Sequence, residues 1–196
     1  DPLTELYLWE MNVDPTRAEL EANIALYDAI RTGHPRPSAR AAATMAQMRA
    51  WMRLGQPAEA RRLLPSLGFI DRWAILGAFD NEAGKGFLTA FPPEKKIDFD
   101  RAVDGPLVPL RWRELPRVTD LGAVPIADAV WPRDAAVAYL ATWVHADAAV
   151  DARLRMTTGD ATRAWLNGGL VLSEERIDSG DLDNLVVPVR LQSGWN

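Results

Sequence analysis

Apolar residues recur at helical spacing up to about residue 67, and from about residue 70 they alternate in twos between Gly- and Pro-rich turns. The pattern predicts an α+β chain in two segregated parts. Helical hairpins occupy residues 1–67, and an antiparallel β-sandwich or jelly roll occupies residues 68–196, with the boundary near Ser66 to Phe69. Leu3, Leu6 and Tyr7 predict a helix over residues 2–11. Asp14-Pro15 reads as the start of the next helix, with Asp14 as its cap, and Gly33-His34-Pro35 as its stop. Leu20, Ile24 and Tyr27 share one face of it, while Ala22, Ala25 and Ala29 line the other. Ser38 is expected to cap a further helix to Leu54, with a bulky stripe of Ala41, Met45, Met48 and Met52 and a small one of Ala43, Ala46 and Ala50. Pro57 opens a short helix through Ala60, Leu63 and Leu64 that ends by Pro65.

The clearest strand is 149–156, where Val150, Ala152, Leu154 and Met156 alternate with Asp151, Arg153 and Arg155. In 162–172, Asn167-Gly168 divides two apolar runs as the centre of a type I′ hairpin, which sets Trp165 opposite Leu170. Further strands are expected at 71–76, 108–113, 136–145 and 184–191, with no helices between them. Pro188 cannot donate to a ladder, which places the last of these at an edge or bulge.

Composition adds exclusions. Of 196 residues none is Cys, so thiol nucleophiles, thiolate metal sites and disulfides are ruled out. Residues 1–68 hold eight acids and eight bases, and residues 69–196 hold nineteen and fourteen, so the net charge of −5 lies wholly in the second part. That sign argues against nucleic acid as a partner. No apolar run is long enough to span a bilayer. The five serines lie in no G-x-S-x-G elbow, and neither a P-loop nor G-x-G-x-x-G occurs. The two histidines, His34 and His145, lack ligand spacing, and His145 is expected to continue the Tyr139, Ala141, Trp143 face of a strand in a hydrogen-bonded structural role.

The stretch RAWMRLGQPAEARRLL (49–64) is similar to the hinge of a tetratricopeptide repeat, with Gly55 between helices and Ala60 at the tight crossing; Gln47 and Met48 stand where that family usually has Leu and Gly. Residues 73–196 resemble a galactose-binding or PA14-like β-sandwich module. The likeness rests on WAILGAFDNEAGKGF (73–87), FPPEKKID (91–98), LRWREL (110–115), YLATWV (139–144), TTGDATRAWLNGG (157–169) and VRLQSGWN (189–196). The resemblance implies a bacterial, extracytoplasmic multidomain protein in which this region binds carbohydrate or a neighbouring domain without catalysis. It also implies a final strand after Gly194-Trp195-Asn196, whose absence would leave an edge for strand-paired dimers. Calcium binding is not inherited, because Gly159-Asp160 supplies one acid where such modules often have two.

Candidate ligand residues are Asp160, Arg163, Trp165 and Asn167: a Trp face stacks on a pyranose while the polar groups bond its hydroxyls. The alternative is that Trp165 is core and Asn167 supplies the turn's positive φ. Trp73, Trp112 and Trp143 fall in expected strands, where burial is the default. Asp178, Asp181, Asp183 and Asn184 form an oxygen-rich loop of the kind Ca²⁺ accepts, with a solvated turn as the competing account. No other cofactor is indicated. A glycoside hydrolase would need two converging carboxylates, for which Glu94, Glu114, Glu174 and Glu175 are candidates by type alone. The resemblance also implies a further alternative, an accessory region ahead of a transglutaminase-like domain that holds the activity. Arg36, Arg40, Arg49, Arg53, Arg61 and Arg62 form a basic stretch that reads as a solvated helical face or as a contact for an acidic partner.

Overall fold

A computed structural model describes residues 15–115, 123–177 and 184–196. The expected helix over 2–11 and Asp14 lie outside these, and Pro15 stands before the helix it was expected to open. The chain is α+β, helical first and antiparallel later. It forms two compact units, one containing 15–69 and Ala123, the other 70–115, 124–177 and 184–196.

In the first unit, helix α1 spans Arg17–Gly33. Its cap is Thr16, whose hydroxyl accepts from the Glu19 amide at 3.3 Å while the Thr16 amide donates to the Glu19 carboxylate at 2.7 Å. This reciprocal box satisfies two groups at the helix end. Helix α2 spans Pro37–Arg53, with Arg36 at the cap position making no side-chain capping bond. Ser38 therefore sits inside the first turn and is not the cap, because the ring of Pro37 already has the φ that the first helical position needs. Leu20 and Tyr27 of α1 pack on Ala43, Ala46 and Ala50 of α2. The small stripe thus meets α1, since alanines let two backbones approach closely, and Ala22, Ala25 and Ala29 face outward. Met48 is fully buried and Met52 exposed. Gly55, at φ 72°, turns the chain into α3, Pro57–Leu63, which continues as a 3-10 turn over Leu64–Leu67. Ala60 is buried. Gln47 is buried between α1 and α2, where its Nε2 donates to the Ile24 carbonyl at 3.4 Å and its Oε1 has no partner.

In the second unit, strand β1 (Ala74–Asp80) lies between β2 (Arg113–Glu114) and β3 (Ala136–Ala141) in an antiparallel sheet. Leu76 faces Tyr139 and Phe79 faces Val137, so Gly77 and Ala78 together oppose Ala138. This bulge reverses the alternation. Ile75 and Ala78 share one face with Leu115 and Val130, while Leu76 and Phe79 share the other with Leu110. A side chain at Gly77 would meet the Ala138 Cα at 3.1 Å, which is why the bulge carries glycine.

Short helices interrupt the strands, contrary to expectation: 3-10 turns over Glu82–Leu88, α4 at Pro92–Lys95 and α5 at Ile126–Ala129. The expected strand at 108–113 is reduced to β2 and an isolated bridge between Val103 and Leu110. The strand expected to run to 145 ends at Ala141. The chain then changes partners, and β4 (His145–Ala146) pairs with β9 (Gly194–Trp195). His145 is therefore exposed, with its ring edge on Trp195 at 5.1 Å and Nδ1 3.5 Å from Asp147. Trp143, in the crossover, is 54% exposed rather than buried.

Strand β5 (Val150–Met156) pairs in unbroken register with β8 (Leu185–Leu191). Ala152, Leu154 and Met156 oppose Val189, Val187 and Leu185, and Asp151 on the other face meets Arg190 at 2.6 Å. Among the described residues β8 has one partner strand, as Pro188 demands. Strands β6 (Thr162–Leu166) and β7 (Gly169–Glu174) form the Asn-Gly hairpin. Asn167 and Gly168 have φ of 51° and 82°, and Trp165 is opposite Leu170. Among the described residues the strands thus form one three-stranded and three two-stranded sheets. No helix among the described residues is long and apolar enough to cross a membrane.

Candidate binding groove

The four hairpin candidates go to three different places. Arg163 and Trp165, two apart on β6, project from the same side of the strand. The guanidinium lies 5.0 Å from the centre of the Trp165 ring and 5.9 Å from that of Phe87, and Nη1 donates to the Phe87 carbonyl at 3.2 Å. The same nitrogen is 3.2 Å from Glu94 Oε2, and the Tyr139 hydroxyl donates to Glu94 Oε1 at 2.6 Å. Burial first, and then the Glu94 carboxylate that holds its proton, push the Tyr139 phenol far above its ordinary value. Phe79, Phe91 and Tyr139 close the cluster ring against ring. One face of Trp165 is thus covered by a cation, and the cluster fastens β6 to β3 and α4.

Asn167, at the hairpin tip, donates to Asn196 Oδ1 at 3.0 Å. Asp160 lines a shallow dimple of about 10 Å³ with Thr158, Glu174, Arg176 and Asn184. Asn184 is fully engaged: Oδ1 accepts from the Thr158 amide at 3.1 Å, and Nδ2 donates to the Thr158 carbonyl at 2.6 Å. Asp178, Asp181 and Asp183 lie outside the described residues. Among the described residues no three His, Asp or Glu converge as a metal site would require. Of the four acids named by type, three each meet a cation: Glu94 meets Arg163, Glu114 meets Arg72 at 3.6 Å, and Glu174 meets Arg176 at 3.7 Å, while Glu175 is exposed. In the basic stretch, Arg62 meets Glu59 at 2.6 Å and Arg40 donates to the His34 carbonyl.

The larger opening is elsewhere, and its residues carried no motif. A groove of about 370 Å³, open to solvent, is lined by Arg113, Ala127, Asp128, Ala129, Val130, Trp131 and Arg133. Its volume is at the lower end of ligand sites, which run from roughly 300 to 1,000 Å³. Core packing builds it. Val130 is buried against Ile75 and Leu115, and Ala129 packs beside it, so the segment from α5 onward is pinned to the sheet. Arg113 on β2 pairs with Ile75, which packs on Leu115 and Val130, and so emerges on the face where that segment lies. Trp131, adjacent to the buried Val130, turns outward and is 79% exposed. A second aromatic surface has Phe99 between Trp112 at 5.1 Å and Trp143 at 4.8 Å. The rings cover one another there, leaving Trp143 as the outer one.

Comparison with family models, curated proteins and solved structures finds no match for this chain.

Proposed function

We propose that the β-rich unit is a non-catalytic binding module that holds a saccharide in the groove beside Trp131. One observation carries this: an indole 79% exposed at the rim of a groove that the core holds open. Leaving so large an apolar ring in water forfeits about 2 kcal/mol of burial, and stacking on the C–H face of a sugar recovers part of it. Asp128 in the same groove accepts hydroxyl protons. In this account the small sheets are parts of a jelly-roll-like sandwich, the preceding helices are tetratricopeptide-like hairpins, and the whole belongs to a larger extracytoplasmic protein. The site differs from the hairpin site first expected, because Trp165 is occupied by Arg163.

The test is a glycan array probed with the intact chain, followed by calorimetry on any hit. Trp131→Ala is expected to abolish binding at unchanged melting temperature. Silence across the array would end the proposal. A second reading, docking to a neighbouring domain, is favoured by the loop of β2's approach, where Leu107 and Val108 are 73% and 63% exposed. Pull-down that is lost on Leu107→Ser with Trp131 intact would favour it.

A further inference from the structure

We infer that the saccharide in this groove carries a carboxylate, read by Arg113 and Arg133; the inference rests on the saccharide site proposed above. Both arginines line the groove and are exposed. Arg72, Arg163, Arg176 and Arg190 of the same unit each hold an acid. No acid pairs with Arg113 or Arg133 among the described residues, nor with Arg101, Arg111 or Arg153; what sets the first two apart is that they line one groove, where Asp128 bridges neither. Two guanidinium groups and one carboxylate thus leave the groove with a net positive charge, on a stretch with nineteen acids and fourteen bases. The negative balance of the whole stretch opposes an anion, so the attraction comes at short range from the two guanidinium groups themselves. Guanidinium forks match the two oxygens of a carboxylate.

The other lining groups narrow the class. Trp131 offers a flat apolar face, of no use to a small inorganic anion but suited to a pyranose ring. Asp128 accepts hydroxyl protons and repels a doubly charged phosphate more than a singly charged carboxylate. An open groove accommodates a stretch of polymer rather than enclosing a small metabolite. A uronate-containing oligosaccharide meets all three demands.

Isothermal titration of the full 196-residue chain with tetramers of galacturonate, mannuronate and hyaluronan, against cellotetraose as the neutral probe, tests this. At least one acidic probe is expected to bind about tenfold more tightly than the neutral one, as one or two charge-assisted hydrogen bonds allow, and to weaken with added salt. The double variant Arg113→Gln/Arg133→Gln is expected to bring acidic affinity down to the neutral level, and Arg113→Lys/Arg133→Lys to restore part of it. Trp131→Ala is expected to abolish binding of every probe. All three residues are exposed, so circular dichroism should be unchanged. Equal binding of acidic and neutral tetramers would overturn the carboxylate inference and leave the saccharide site standing. Absence of binding to all four probes would overturn both. Competition by inorganic phosphate as effective as the uronate itself would also overturn the inference, because it would leave the ring face without a role.

Discussion

Replacing Glu94 with Gln preserves the shape of the side chain and leaves an oxygen for the Tyr139 hydroxyl, while removing the charge that faces Arg163. The Glu94 side chain is 9% exposed and that of Arg163 24%, and Nη1 stands 3.2 Å and 3.4 Å from the two carboxylate oxygens. Stranding one partner of a fully buried pair costs about 3–5 kcal/mol, and a hydrogen bond to a charged group contributes about 1.5–3 kcal/mol. Arg163 retains some water and its bond to the Phe87 carbonyl, which places the expected loss at about 2 kcal/mol. For a folding unit of this size that is a fall in melting temperature of about 8 °C. Urea unfolding followed by far-ultraviolet circular dichroism measures it, and a double-mutant cycle with Arg163→Met separates the pair from its surroundings. A destabilisation below about 0.5 kcal/mol, the range of ordinary surface changes, with no coupling in the cycle, would refute the account of this cluster as a fastening for β6.

The same cluster predicts that Trp165→Ala costs about 2 kcal/mol, below the full-burial range because the indole is half-buried; an unchanged melting temperature would contradict its packing role. Gln47→Leu should change the stability of the helical unit by less than about 1 kcal/mol, since it removes a buried carbonyl oxygen without a partner but also loses the long bond to the Ile24 carbonyl and the bond to the Asp28 carboxylate; thermal unfolding measures it, and a loss above about 2 kcal/mol would contradict the account. Gly86→Ala should destabilise by about 1–3 kcal/mol, because the new methyl would lie 2.6 Å from Val137 Cγ2 and 2.7 Å from Asn81 Oδ1; calorimetry measures the loss. The Lys85 ammonium, then the Glu82 amide, hold the exposed Asp80 carboxyl below the usual aspartate value. Its small stabilising contribution is therefore present above the unfolded-state pKa and lost as pH falls through the lower folded value. Carboxyl NMR titration of Asp80 should show that depressed midpoint, and Lys85→Ala should move it upward.

Local order was legible wherever one short stretch specifies its own geometry. Asn167-Gly168 requires positive φ at both positions and so set the hairpin and the Trp165–Leu170 pair. Alternation in 150–156 put Ala152, Leu154 and Met156 on one face before their partner was known. The Thr16-x-x-Glu19 box was equally readable, yet Asp14-Pro15 competes for the same helix start with an equally good local signal. Tertiary structure alone decided what those faces meet. Arg163 reaches Glu94 across 69 residues, and Tyr139 reaches it across 45. The groove joins Arg113 to residues 127–133 because Leu115 and Val130 share the buried face of β1, and the bulge at Gly77–Ala78 determines which residues of β1 form that face. Periodicity along a chain records which side of an element avoids water. It carries no information on which distant element covers that side, and one extra residue in a strand exchanges the two faces.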